Sequence, residues 1–307
     1  MSITDLARTY IELRRHLGYK FRDGDQIVLP FAVFADDHND HFICQARVVE
    51  WASSAPSVRG AQKRLAILRN FATWLHAEDA RHQVPDRYVL GRATRRRPTP
   101  YLLTQAQIRQ VMDAALLLPP VDSITPHTVR TMIGLAATAG LRRSEVVGLL
   151  LTDITPDGLT IRNSKFGKSR LVALHQSVRA VLETYLSRRM NIGGAYDHLF
   201  VLASGKPPTA NYLTQTFLHL VRSLGLRGGP GEPGPRFHSL RHSFAVRSLE
   251  AATHATRTDV SRHMLALTTY LGHSSVVATY WYLEATPPLL RTIVEASERT
   301  HMTETGR

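Results

Sequence analysis

One cysteine, Cys44, is present among 307 residues, so the chain can close no disulfide on itself and can build no thiolate cluster for zinc. Long apolar runs are missing as well. The longest, Val28 to Ala35, is interrupted by Pro30 and is far too short to cross a bilayer. The residues after Met1 (ITDLARTYIELRRHLGY) are polar with a helical rhythm rather than a basic and then apolar leader, so the expected compartment is the cytosol. Neither a Gly-rich phosphate loop nor an H-E-x-x-H pattern occurs. Acidic residues are the scarcer charge, 25 against 38 Lys and Arg, which leaves a formal net charge of +13 and a pI near 10.3. That balance points to a polyanionic partner, most often nucleic acid. Arginine far outnumbers lysine, and its planar fork suits phosphate better than the point charge of lysine.

What is present reads as a mainly α chain with a small three-stranded sheet, in two domains. Residues 1–90 are expected to be all helical. Apolar spacing marks a helix from Asp5 to Leu17 that ends at Gly18, a second over Gln26 to Asp36 despite Pro30, and a third over Ile43 to Ala52. Ser57 caps a long fourth helix ending near His76, with Leu65, Ile67, Leu68, Phe71 and Leu75 inward and Arg59, Lys63, Arg64 and Arg69 outward. That basic face is either simply solvated or lies along a phosphate backbone. Residues 91–100, GRATRRRPTP, form a basic linker, and Arg95, Arg96 and Arg97 join Arg59, Lys63 and Arg64 as candidate DNA contacts.

Residues 101–285 form the second domain. Thr104 and Gln107 make a capping box for a helix through Leu117. His127 to Thr138 is a helix closed by Gly140, and Ser144 is the expected cap of EVVGLLL. The stretch DITPDGLTIRNSKFGKSRLVAL reads as three short strands joined by a PDG turn and a turn around Gly167. Helices follow at Ser177–Met190 and Asn211–Leu224, then a Gly/Pro-rich flexible loop over Gly225–Pro235, then the helix FHSLRHSFAVRSL. Residues 286–307 hold a last helix, Leu289–Ser297, and a polar tail.

Three patterns carry chemistry. GLRRSE places Arg142 and Arg143 before a helix N-terminus, with Glu145 in its first turn. They are either an exposed pair beside a capping serine or cations that need an anion. In HSLRH, His238 and Arg241 share a helix face, and Arg241 sits among apolar neighbours that make a partner anion necessary. His238 and His242, four apart, have metal-ligand spacing but lack a third ligand. LGHSSVVATYWYLEA adds His273 and, nine residues later, Tyr282. Tyr280, Trp281 and Tyr282 read first as a packed aromatic cluster. The set contains no acidic pair for two metals. Cations can neutralise charge developing on a phosphate, and positive charge makes a tyrosine a usable nucleophile.

In this order and at these separations, AGLRRSEVVGL, the lysine hairpin, HSLRH, LGHSS and the trailing tyrosine resemble the tyrosine recombinase (phage integrase) family, from about Tyr101 to Ala285. The helical first part resembles that family's core-binding domain. The resemblance implies Arg142, His238, Arg241 and His273 as phosphate-holding residues, with either histidine able to take the nucleophile's proton, and Tyr282 as nucleophile. Tyr280 and Trp281 are then packing. It implies Lys165 as general acid, with Lys168 the contender because the usual glycine before the lysine is missing in NSKFGKSR. Glu145 would orient Arg142 or a histidine. The segment EAATHATRTDVSRHMLA departs from the pattern by its length and its lack of glycine. The implied function is site-specific cutting and rejoining of double-stranded DNA through a 3′-phosphotyrosyl link, without metal or other cofactor, by a homotetramer on paired sites. The DNA would be that of a mobile element, plasmid or phage in a bacterial nucleoid, with accessory factors possible. The last helix would dock on a neighbouring subunit or on its own domain, and no arm-binding extension is expected before the helical domain. A type IB topoisomerase-like enzyme and a non-catalytic DNA-binding relative are the rival readings.

Overall fold

The computed structural model describes residues 2–19, 21–92, 100–162, 169–192, 196–229, 231–251, 257–272 and 282. The chain divides into two compact units, Met1–Arg97 and Pro98–Arg307. Among its described residues the first has helices and no strand. α1 (Ile3–His16) starts at a capping box in which Ser2 accepts from the backbone N–H of Asp5 and Asp5 accepts from that of Ser2. The Asp36 carboxylate accepts two further backbone N–H groups of the same first turn, those of Ile3 and Thr4, both at 2.9 Å. Those donors have no partner inside the helix, so Asp36 ties the start of α1 to α2 (Leu29–Asp37).

The expected helix over Gln26–Asp36 differs in its first turn. Pro30 has no N–H, and the chain answers with a wider π-turn over Gly24–Val28 that runs directly into α2. α3 (Gln45–Ser53) and α4 (Val58–Glu78) complete the unit. Tyr10, Phe31, Leu68, Phe71 and Leu75 are buried together, with Ile67 and Trp74 packed at the edge.

The second unit is arranged around α6 (Ile124–Ala139), whose sides are nearly all buried: Val129, Met132, Ile133 and Ala136 are fully enclosed. A helix apolar around its circumference belongs at the centre of a core. It begins three residues earlier than the sequence suggested, because Ser123 supplies the cap and Pro126 is tolerated in a first turn that needs no donor. α5 (Gln105–Ala115) has the expected capping box from Thr104 and Gln107.

Three strands follow: β1 (Ile154–Thr155), β2 (Gly158–Ile161) and β3 (Arg170–Val172). They pair antiparallel in the order β1-β2-β3, with Leu159 opposite both Ile154 and Val172. α8 (Gln176–Arg189), α9 (Ala210–Ser223), α10 (Phe237–Ala251) and α11 (Arg257–Leu271) close the described chain. The expected last helix, Leu289–Ser297, lies outside the described residues. Among those residues no helix is long and apolar enough to cross a membrane.

Two sequence expectations need correction. Ser144 caps nothing: the helix it was to open, α7, spans Arg143–Val147 with Arg142 at the cap position, and Glu145 takes the free Arg142 N–H. The chain then leaves helical geometry at Gly148, so EVVGLLL does not continue as a helix. The Gly225–Pro235 loop is irregular but anchored. Buried Arg227 donates to the carbonyls of Glu232 (2.6 Å) and Gly234 (2.7 Å), fixing the approach to α10. The segment before LGH that departs from the family pattern is described from Arg257, where α11 begins and turns Met264, Leu267 and Leu271 inward.

Gly140 closes α6 in the left-handed region, at φ 61°. A Cβ there would stand 2.5 Å from the Phe244 ring. Gly140→Ala is therefore expected to destabilise the second unit by about 2–4 kcal/mol, from left-handed strain plus steric overlap. Urea unfolding followed by circular dichroism reads this directly, and an unchanged midpoint would contradict it.

Candidate active site

Three elements of the second unit, α7, β3 and α10, converge on one buried carboxylate. Glu145, in the first turn of α7, has a side chain only 4% exposed. Its oxygens accept from the Arg142 backbone N–H (2.8 Å), from Arg142 Nη1 (2.7 Å), and from Arg170 Nη1 and Nη2 (both 2.9 Å). Arg241 Nη1 stands 3.9 Å away. Burial pushes the Glu145 carboxyl up, but the hydrogen bonds and charges of Arg170 and Arg142 outweigh it and hold the pKa at about 2.

The second set of acceptors is the C-terminal end of α11, where helix carbonyls have no intrahelical partner and carry partial negative charge. Arg170 Nε donates to Tyr270 O (2.8 Å), Arg241 Nη2 to Leu271 O (2.6 Å) and Arg142 Nη2 to Gly272 O (2.8 Å). Three consecutive carbonyls thus receive guanidinium groups from β3, α10 and the start of α7. Arg241 Nη1 also caps α6 through Gly140 O (2.7 Å). Arg241 is 1% exposed, and burial, reinforced by the charge of Arg142, pushes its pKa down to about 10. Its Nε is buried without a hydrogen-bond partner among the described residues. Among the described residues the cluster sets one carboxylate against Arg142, Arg170 and Arg241, so these groups carry surplus positive charge. Such a cluster is suited to an anion.

His238 sits one turn before Arg241 with part of its ring open to water. Crowding by neighbouring atoms, and then the charges of Arg241 and Arg142, push its pKa below the ordinary histidine range, which keeps the ring neutral near pH 7. The His238 and His242 rings meet edge to face at 4.4 Å. Among the described residues no group of three His, Cys, Asp or Glu stands together to hold a metal. Tyr282 is 2% exposed and packs with Ala245, Val246, Leu249, Met264 and Leu267. Its hydroxyl lies 3.2 Å from His242 Nδ1, and Tyr282 lies within the electrostatic reach of Arg241.

Of the residues singled out in the sequence, Arg142, Glu145, His238, Arg241 and Tyr282 therefore fall in one region of the second unit. Lys165, Lys168, His273, Tyr280 and Trp281 lie outside the described residues, as do Arg95, Arg96 and Arg97. In the first unit Arg59 is exposed, Lys63 pairs with Asp23 at 2.7 Å, and Arg64 stacks on Trp51 while donating to Trp51 O and Ser54 Oγ. Arg64 is thus engaged by its own unit and does not face outward freely as the helical pattern suggested. One site residue, and one contact of a residue weighed only for metal-ligand spacing, escaped the sequence reading. Arg170 gave no motif signal beyond being a charged residue on a predicted strand, and the contact of His242 with Tyr282 spans 40 positions.

The second unit thus sets a cluster of guanidinium groups near a tyrosine hydroxyl. The sequence profile of the phage integrase family matches residues 102–287, the greater part of the chain. A Sinorhizobium fredii protein named as an integrase/recombinase, y4rB, is 35% identical over 95% of this chain and 96% of its own length. The tyrosine recombinase XerD of Brucella suis is 25% identical over 76% of this chain and 74% of its own. Among solved structures, a lambda integrase dimer bound to a COC′ core site has the same fold, with a TM-score of 0.66 at 16% identity, covering 94% of this chain and 97% of that one. The chain belongs to the phage integrase family, the tyrosine recombinases, and its function is site-specific DNA recombination.

Because the Glu145 pKa is depressed from 4.5 to about 2 on folding, its contribution to stability is present above pH 4.5 and is lost as pH falls towards 2. The contribution is on the order of 3 kcal/mol. Glu145→Gln should lower stability at pH 7 and flatten the acid limb between pH 5 and 2 in pH-dependent urea titrations. A variant with an unchanged acid limb would mean that Glu145 is not what holds the arginines.

Proposed function

We propose that the chain breaks and rejoins DNA at Tyr282, through a 3′-phosphotyrosyl link that frees a 5′-hydroxyl. The observation that carries this reading is the surplus of buried guanidinium charge beside the Tyr282 hydroxyl. Arg142 and Arg241 take the non-bridging oxygens of the scissile phosphate. Donors already fixed in direction stabilise charge as it develops, with little reorganisation. Arg241 Nε, buried and unpartnered among the described residues, is one such donor. His238 and His273 hydrogen-bond the same phosphate. Lys165, or else Lys168, protonates the leaving 5′-oxygen, and Glu145 orients Arg142. One phosphate ester replaces another, so the intermediate keeps the bond energy, and a second DNA end attacks it to reseal the strand. The arginines supply the charge neutralisation that a metal ion supplies elsewhere, and the reaction proceeds without metal or ATP.

The enzyme acts as a tetramer on two paired duplexes, on the DNA of a mobile element, plasmid or phage in the bacterial cytoplasm. One structural neighbour, a lambda integrase tetramer bound to a Holliday junction, has a TM-score of 0.65 at 16% identity. Residues 1–90 serve as the core-binding domain, with Arg59 the basic residue of α4 best placed to meet a phosphate backbone.

A nicked duplex, selected from a random-sequence pool by covalent capture with the protein, gives the test. Wild type incubated with it in EDTA should form an adduct that survives a denaturing gel. Tyr282→Phe should abolish it and Tyr280→Phe should leave it. An adduct that needs added metal, or that disappears with Tyr280→Phe instead, would overturn the assignment. Sequence-specific binding without any adduct would make the chain a non-catalytic relative.

A further inference from the structure

We infer that His242 is a catalytic residue: it receives the Tyr282 proton when the phenol attacks and returns it on religation. The inference rests on the recombinase reading of the same site and assigns a step that the family resemblance left to His238 or His273. Three observations support it. First, the Tyr282 hydroxyl lies 3.2 Å from His242 Nδ1, within reach of direct proton transfer. Second, the Tyr282 ring is 2% exposed and packed among aliphatic side chains of α10 and α11, so bulk water cannot take the proton there. A phenol in such a place reacts only if its proton has somewhere to go as positive charge approaches the oxygen. Third, the His238 ring meets the edge of His242 at 4.4 Å and is partly open to water. A proton held on His242 therefore sits beside a neutral ring at the rim of the site.

The step balances as follows. A Tyr282 Oη–phosphorus bond forms while the hydroxyl proton moves to His242 Nδ1. The P–O5′ bond breaks, and the leaving oxygen takes a proton from the general acid. On religation a 5′-hydroxyl attacks phosphorus and loses its proton to the same group that protonated it, the P–Oη bond breaks, and His242 gives its proton back to the departing tyrosine oxygen. His242 Nδ1 must be the unprotonated nitrogen at the start, with the phenol as donor.

His242→Asn keeps a hydrogen-bond acceptor near the Nδ1 position but cannot hold the proton. With the selected duplex at single turnover, this variant should form the covalent link on the order of 10²-fold more slowly than wild type, the usual size of a general-base contribution. The decisive comparison repeats both proteins with Tyr282 replaced by a trifluorotyrosine, whose phenol is largely ionised before it attacks. If His242 is the base, the rate gap between the protein that keeps His242 and the His242→Asn variant should shrink to less than about tenfold. An equal gap with both nucleophiles would show His242 to be packing only and would overturn the inference. Melting curves establish that the variant is folded. Should His242→Asn fail to fold, His242→Gln with added imidazole replaces it, where recovery of rate supports the step and no recovery overturns it. If wild type captures no DNA at all, the recombinase reading falls and takes this inference with it. If wild type reacts and the gap is unchanged, only the inference falls.

Discussion

The site depends on a mutual need between buried arginines and helix ends. Arg241 is all but fully enclosed, and Arg142 and Arg170 are partly buried. Enclosing a guanidinium costs several kcal/mol unless acceptors surround it. The C-terminal carbonyls of α6 and α11 are acceptors left over when a helix stops, and they would be costly to bury without donors. Each group resolves the other. Gly140 O, Tyr270 O, Leu271 O and Gly272 O receive the guanidinium hydrogens, and Glu145 supplies the one compensating charge among the described residues. This exchange links α6, α7, β3, α10 and α11 of the second unit at one point.

Arg170 has a particular place in that exchange. Its fork covers both oxygens of Glu145 while its Nε holds α11. With Glu145 turned towards Arg170, Arg241 stands 3.9 Å from the carboxylate and keeps donor capacity in reserve. Without Arg170, the carboxylate would be free to close on Arg241 and cancel the charge that a phosphate needs. Arg170 is thus a positioning residue in this account, acting through Glu145 and not on the substrate.

Much of this was legible in the sequence where the signal is local. The capping box at Thr104 and Gln107, the PDG turn and the inward stripe of α4 follow from spacing alone, and each is present as expected. The order of motifs around Arg142, His238, Arg241 and Tyr282 pointed to the family. What the sequence did not reveal depends on tertiary contact. Ser144 looks like a cap, but α7 starts one residue earlier, at Arg143, where Glu145, held by two guanidinium groups, also accepts the Arg142 N–H. Arg64 looks outward on a helical wheel, yet the Trp51 ring draws it in. α11 has a weak apolar stripe, Met264, Leu267 and Leu271, and its C-terminal end matters more than its sides. Arg170 and the His242–Tyr282 pair join residues far apart in sequence, which no local period encodes.

The central claim is that the arginines held by Glu145 and α11 neutralise the non-bridging oxygens of a scissile phosphate. The direct measurement replaces that phosphate in the selected duplex with a methylphosphonate, which carries no charge. Adduct formation by wild type and Arg142→Ala is then compared on both substrates. On the ordinary phosphate, Arg142→Ala should lose on the order of 10²-fold or more, and on the methylphosphonate most of that loss should disappear. A loss of equal size on both substrates would mean that Arg142 does not neutralise phosphate charge, and the account of the site would be wrong.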